Sequence, residues 1–183
     1  MGRKRKNSPN MKVYGVPFRV TEMKATTKGQ IRWYVSMREP DGSVLHGENV
    51  GKLVTAKSIK AEVVIKATES IIRENGERVL EWLRAGRLKE ATPELLLLAL
   101  PEESIERVYG KSDEEHRELV RQVVKLLPPI SELQEKMETV TLRAVEKVVE
   151  VKEKGSVVKR VLNRLYDEAV SWGIIEENRA KKV

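Results

Sequence analysis

From Lys12 the chain turns to stretches in which apolar side chains recur at every second position. Val16, Phe18 and Val20 alternate with Pro17, Arg19 and Thr21, and a turn follows at Thr26-Thr27-Lys28-Gly29. Ile31, Trp33, Val35 and Met37 then alternate with Arg32, Tyr34, Ser36 and Arg38. A period of two is the signature of a strand with one buried face. Pro40-Asp41-Gly42 predicts a tight turn, because glycine supplies the positive φ that such turns require. Residues 43–50 are expected to form a third strand. The segment 13–50 thus predicts a three-stranded antiparallel meander.

Beyond it the period lengthens to that of a helix. Thr55 is placed to cap a helix starting at Ala56, whose apolar positions Ile59, Val63, Ala67 and Ile71 run to a stop at Asn75-Gly76. A second helix is expected over about 77–85. Thr92-Pro93-Glu94 and Pro101-Glu102-Glu103 read as helix starts, with proline in the first turn where its missing N–H is harmless. Ser112-Asp113-Glu114-Glu115 reads as a capping box, opening a helix that ends at Pro128-Pro129. Further helices are expected at about 130–138, 141–154 and 156–172, broken by Gly155 and Gly173. No internal repeat is present. The fold class this implies is α+β: a small N-terminal three-stranded antiparallel sheet with a packed helix, followed by an all-helical domain. The expected divisions are a flexible basic arm at 1–11, the sheet with its helices at 12–86, and a helical domain at 87–183.

The 183 residues suffice to bury a core, and 40% hydrophobic with 34% charged residues is a globular composition. The longest apolar run, Leu95 to Leu100, is far short of the roughly 18 residues a bilayer span needs. The basic start has no apolar stretch behind it, so no secretory signal is read there. A cytoplasmic, nucleoid-associated location is the expectation, and no membrane partner. With no cysteine, disulfides, zinc–thiolate sites and thiol nucleophiles are excluded. Two histidines, His46 and His116, leave little for a metal site, so neither metal nor cofactor is expected. The Lys/Glu-rich make-up resembles that of thermophilic proteins.

The net charge of +7 is unevenly spread. Residues 1–38 hold ten Lys/Arg and one acid, residues 61–140 are net acidic, and residues 141–183 are basic again. Two basic ends around an acidic middle suggest a polyanionic partner.

Three constellations fit that partner. The strand at 31–38 places Arg32, Tyr34, Ser36 and Arg38 on the face away from its core side, and Arg19 on the neighbouring strand joins them. Arginine pairs bidentately with phosphate or guanine, and a small twisted sheet fits a major groove. Arg3, Lys4, Arg5 and Lys6 form a basic arm suited to phosphates or a minor groove. In the last long helix, Lys159, Arg160 and Arg164 lie away from an apolar stripe of Val157, Val158, Val161, Leu162, Leu165 and Tyr166. The acids at Glu102, Glu103, Glu106 and Asp113–Glu115 sit at helix starts, where they favour the dipole, and are not read as catalytic.

The stretch VVKRVLNRLYDEAVSWGIIEENRAKKV, residues 157–183, resembles the end of the core-binding domain of tyrosine recombinases (phage-type integrases). Leu162, Leu165, Ala169, Gly173, Ile174, Asn178, Ala180 and Val183 carry the likeness, while Arg179 stands where a proline is usual. VTLRAVEKVVEVKEKG, residues 140–155, resembles the preceding helix of that domain. IRWYVSMREPDGSVLHGENVGKL, residues 31–53, resembles the family's arm-binding domain, whose three-stranded sheet lies in a major groove. The resemblance implies that Arg32, Tyr34, Ser36 and Arg38 face DNA. The family's catalytic Arg, His-x-x-Arg and Tyr have no counterpart here. The expectation is a non-enzymatic, integrase-like or mobile-element protein that binds double-stranded DNA, either alone, with a second copy, or with a recombinase catalytic subunit. A helical protein–protein adaptor, a helix–turn–helix regulator and an RNA binder are the alternatives.

Overall fold

The computed structural model describes residues 10–25, 29–56 and 61–182. The arm residues Arg3, Lys4, Arg5 and Lys6 lie outside the described residues, as does the turn at Thr26-Thr27-Lys28. The chain is α+β and divides into two units, Met1–Gly76 and Glu77–Val183.

The first unit holds a four-stranded antiparallel sheet in chain order: β1 (Asn10–Val13), β2 (Val16–Ala25), β3 (Ile31–Met37) and β4 (Gly51–Ala56). The three-stranded expectation is corrected at both edges. At the first, Asn10 and Met11 belong to a strand rather than to the arm. Tyr14 and Gly15 have φ of 55° and 86°, and Val13 pairs with Val16 across them. Two consecutive positive φ values make the type I′ turn whose twist matches a hairpin.

At the other edge, residues 43–50 are a loop, tied to the end of β3 by an Arg38–Val44 bridge and by the Met37 N–H donating to the Val50 carbonyl at 2.8 Å. Asn49 and Gly47 have φ of 58° and 142°, which no extended strand tolerates. The apolar signal there comes from Leu45 and Val50, which are buried as loop anchors. The strand lies next in sequence, so Thr55 and Ala56 pair with Arg32 and Ile31 instead of opening a helix.

Helix α1 (Ala61–Glu74) covers one face of the sheet with Val64, Ala67, Ile71 and Ile72. Phe18, Val35 and Met37 meet it from below, each at most 1% exposed. Each such side chain contributes about 1.5–3 kcal/mol on leaving water. Lys52 reaches from β4 to this helix, donating to Ser70 at 2.5 Å and to Glu74 at 2.6 Å.

The second unit is helical: α2 (Gly76–Arg84), α3 (Pro93–Ala99), α4 (Glu102–Tyr109), α5 (Glu114–Val124), α6 (Ile130–Val148) and α7 (Lys152–Ser171), closed by a 3-10 turn at Arg179–Lys182. Asp113 caps α5, accepting the His116 backbone N–H at 2.9 Å, while Ser112 donates back to the Tyr109 carbonyl. Helix α5 stops at Val124, four residues before Pro128. The helices expected at 130–138 and 141–154 correspond to α6, two helical stretches that meet at a kink at Lys136 (φ −124°, ψ 22°) and end at Val148, while residues 152–154 already belong to α7. Gly155 does not break the chain, being buried inside α7. Gly173 does end that helix, with φ of 71° and the Ile174 N–H returning to the Ala169 carbonyl. Leu95, Leu96, Leu133, Met137, Leu162 and Leu165 fill the core. Among the described residues, no helix is long and apolar enough to cross a membrane.

Candidate nucleic-acid interface

Register decides which side chains share a face, because directly paired residues of adjacent strands project to the same side. Asn10 pairs with Arg19, Arg19 with Ser36, and Ser36 with Gly51. Thr21 pairs with Tyr34, Tyr34 with Leu53, and Arg32 with Thr55. These residues form one face. Phe18, Met37, Val35 and Lys52 form the other, and that is the face α1 covers. The β3 alternation expected from sequence therefore holds: Arg32, Tyr34 and Ser36 point away from the helix, and Arg19 joins them from β2. Arg38 extends the row, its N–H bonded to the Pro17 carbonyl at 2.9 Å, one step beyond the Phe18–Met37 pair.

The charges on the strands are sorted by this register. The only acid in the four strands, Glu22, pairs with Trp33 and so belongs to the helix side. The open face carries Lys12, Arg19 and Arg32 with no carboxylate among them. Arg32 and Arg38 form no ion pair with a described residue. Ser36 donates to the Arg19 carbonyl at 3.5 Å, tying the two inner strands at their polar side.

Tyr34 is 37% exposed and Leu53, its cross-strand partner, 61%. The phenol end of Tyr34 occupies the space that a β-carbon at Gly51 would fill. A glycine in the edge strand thus lets the aromatic ring lie down on the sheet. Sequence reading missed Asn10, Lys12, Leu53 and Thr55 as members of this face. The alternation of Leu53 and Thr55 with Lys52 and Val54 signals them, but Thr55 also reads as a helix cap and residues 43–50 as the strand before it.

In the second unit, Arg160 and Arg164 stand one turn apart on α7 and line a cleft of about 830 Å³ beside the α4–α5 turn. Lys159 is outside that lining and half-buried, so the three cations do not act as one surface. Lys111 joins Arg160 and Arg164 there, a residue for which the sequence gave no signal. Arg107 forks onto Glu168 at 2.7 and 3.3 Å, and this bond holds the Glu168 carboxyl below its usual range. Gly110, with φ of 57°, leaves room at the turn: a β-carbon there would stand 2.6 Å from Arg164 Nη1.

The chain matches no family model, no curated protein and no solved structure. Among the described residues, no group of three or more His, Cys, Asp and Glu side chains is placed to hold a metal ion.

Proposed function

We propose that this protein binds double-stranded DNA through the open face of its sheet, as an integrase-like or mobile-element protein without a catalytic centre of its own. The observation that carries the proposal is the sorting of charge by register: the strand residues of the uncovered face are cationic and hydroxylic, with no acid among them. The dimensions agree with a major groove. Strands about 4.8 Å apart make the inner pair β2–β3 narrow enough for a groove about 12 Å wide. Arg19, Arg32, Ser36 and Arg38, on or just beyond that inner pair, are then the candidates for base edges. Lys12 and Thr55 on the edge strands face the flanking phosphates. From Arg32 to Arg38 the row is about 20 Å long, or about six base-pair steps.

The helical alternatives gain no specific support. The Leu95–Leu100 run packs inward at Leu95, Leu96, Ala99 and Leu100. Arg160 and Arg164 line a cleft rather than project from a free recognition helix.

Gel shifts with duplex, single-stranded and RNA probes at two salt concentrations test the proposal. Duplex is expected to bind best, with affinity falling steeply as salt rises. The Arg32→Ala/Arg38→Ala double variant is expected to lose about 1–3 kcal/mol for each base contact removed. Where the arginines meet phosphate instead, the salt slope is expected to drop by about 0.9 per contact. A double variant that binds duplex as tightly as the parent would reject the sheet face.

A further inference from the structure

We propose that the cleft between the α4–α5 turn and α7 binds a phosphorylated small molecule of about nucleotide size, held by Lys111, Arg160 and Arg164. The site lies wholly within the second unit and does not depend on DNA binding by the sheet.

The argument starts from the ion pairs. The lining contains acids as well as bases, and a raw count gives no excess of either. Most of the acids are already engaged. Glu168 is held by Arg107. Asp167 pairs at 3.2 Å with Lys181, which is outside the cleft. Asp113 is occupied by the backbone and ring of His116, at 2.9 and 2.5 Å. Glu106 alone has no such partner. Among the bases, Lys111, Arg160 and Arg164 form no ion pair with a described residue. Three cations without an ion pair therefore face two acids without a Lys or Arg partner, Glu106 and the His116-bonded Asp113, across a concave surface.

Their arrangement suits a phosphate chain better than a single ion. Positions 160 and 164 are helical neighbours about 5–6 Å apart at Cβ, and each guanidinium can fork onto a phosphoryl group. Lys111 opposes them from the turn as a point charge. Gly110 lets Arg164 lie close against that turn. Val157 and Val161 also line the cleft, giving an apolar strip for a sugar or base to lie on. The volume of about 830 Å³ is in the range of small-ligand sites, about 300–1,000 Å³. The N-terminus of α5 is closed by Asp113, so side chains rather than a helix end hold the anion.

The test is isothermal titration calorimetry of the full chain with ATP and with pyrophosphate, in metal-free buffer. Saturable one-site binding is expected. It should weaken at least tenfold in Arg160→Gln/Arg164→Gln and remain unchanged in Arg32→Ala/Arg38→Ala. Absence of saturable binding to both anions overturns the proposal. So does equal weakening in the sheet variant, which would mean diffuse attraction to a basic protein. Lys111→Gln and Arg160→Gln alone, both at exposed positions, keep the test decisive if circular dichroism finds the double variant unfolded. Each is expected to bind several-fold more weakly, and parental affinity in both overturns the proposal. Loss of duplex affinity in the α7 double variant, without saturable binding of either anion to the parent, would overturn it and assign the cleft to the DNA backbone.

Discussion

Tyr34 lies over Gly51, its hydroxyl end filling the place of the missing β-carbon. The glycine is extended backbone in β4, so its value here is space rather than conformational freedom. Gly51→Val is expected to lift the ring off the sheet. Valine is a good strand former, so stability should change by no more than about 1 kcal/mol. Duplex affinity should fall several-fold, because the ring would then stand between the arginines and the groove. Thermal melting and gel shifts on the same preparation check both halves. Unchanged affinity with the ring displaced would remove Tyr34 from the interface.

Thr141 of α6 and Tyr166 of α7 share a buried hydrogen bond of 2.8 Å. Thr141→Val is expected to leave the phenol unpaired and cost about 1–3 kcal/mol. Burial pushes the Tyr166 hydroxyl from 10.0 up to about 12, only partly offset by its bond to Thr141. The unfolded chain therefore loses this proton at lower pH than the folded one. The stabilisation is fully present below pH 10 and is lost as pH climbs through the folded value. Urea unfolding across that alkaline range should show a decline in the parent that is smaller in Tyr166→Phe, by an amount of order 2 kcal/mol.

Gly155 sits inside α7, and a β-carbon there would meet Val145 and Val149 at 3.8 Å, an ordinary packing distance. Glycine in a helix interior costs about 1 kcal/mol relative to alanine. Gly155→Ala is thus expected to stabilise the second unit by about 0.5–1 kcal/mol, measured as a higher urea midpoint. Destabilisation would mean that the α6–α7 packing cannot absorb a methyl group.

Those three sites also mark what was legible in the chain. The β3 face was fully readable, because Ile31 to Arg38 alternates without interruption and one side of it is buried. Helix starts at Pro93 and Glu102 were readable for the same reason, local chemistry agreeing with the final structure. The Tyr14-Gly15 hairpin was not, since tyrosine is an unusual residue at positive φ and the strand before it, Asn10–Val13, is only four residues long. β4 was misplaced by one loop, because Leu45 and Val50 are buried without being in a strand. Gly155 reads as a break in the sequence because glycine's ambiguity between helix end and close helix packing is settled only by the neighbouring helix. Half of the candidate interface followed from pattern. The cleft did not, since Lys111 and Arg164 are 53 residues apart and meet only through tertiary packing.

The register of β2 against β3 has a consequence for the kinds of change this surface tolerates. Successive side chains point to opposite sides, so a one-residue slip exchanges the two sides wholesale. Deleting a single residue within Ile31–Met37 would turn guanidinium groups under α1 and present valine and methionine to solvent. Substitutions alter the face one group at a time, whereas insertions or deletions here invert it, so strand length is the more constrained property of this segment.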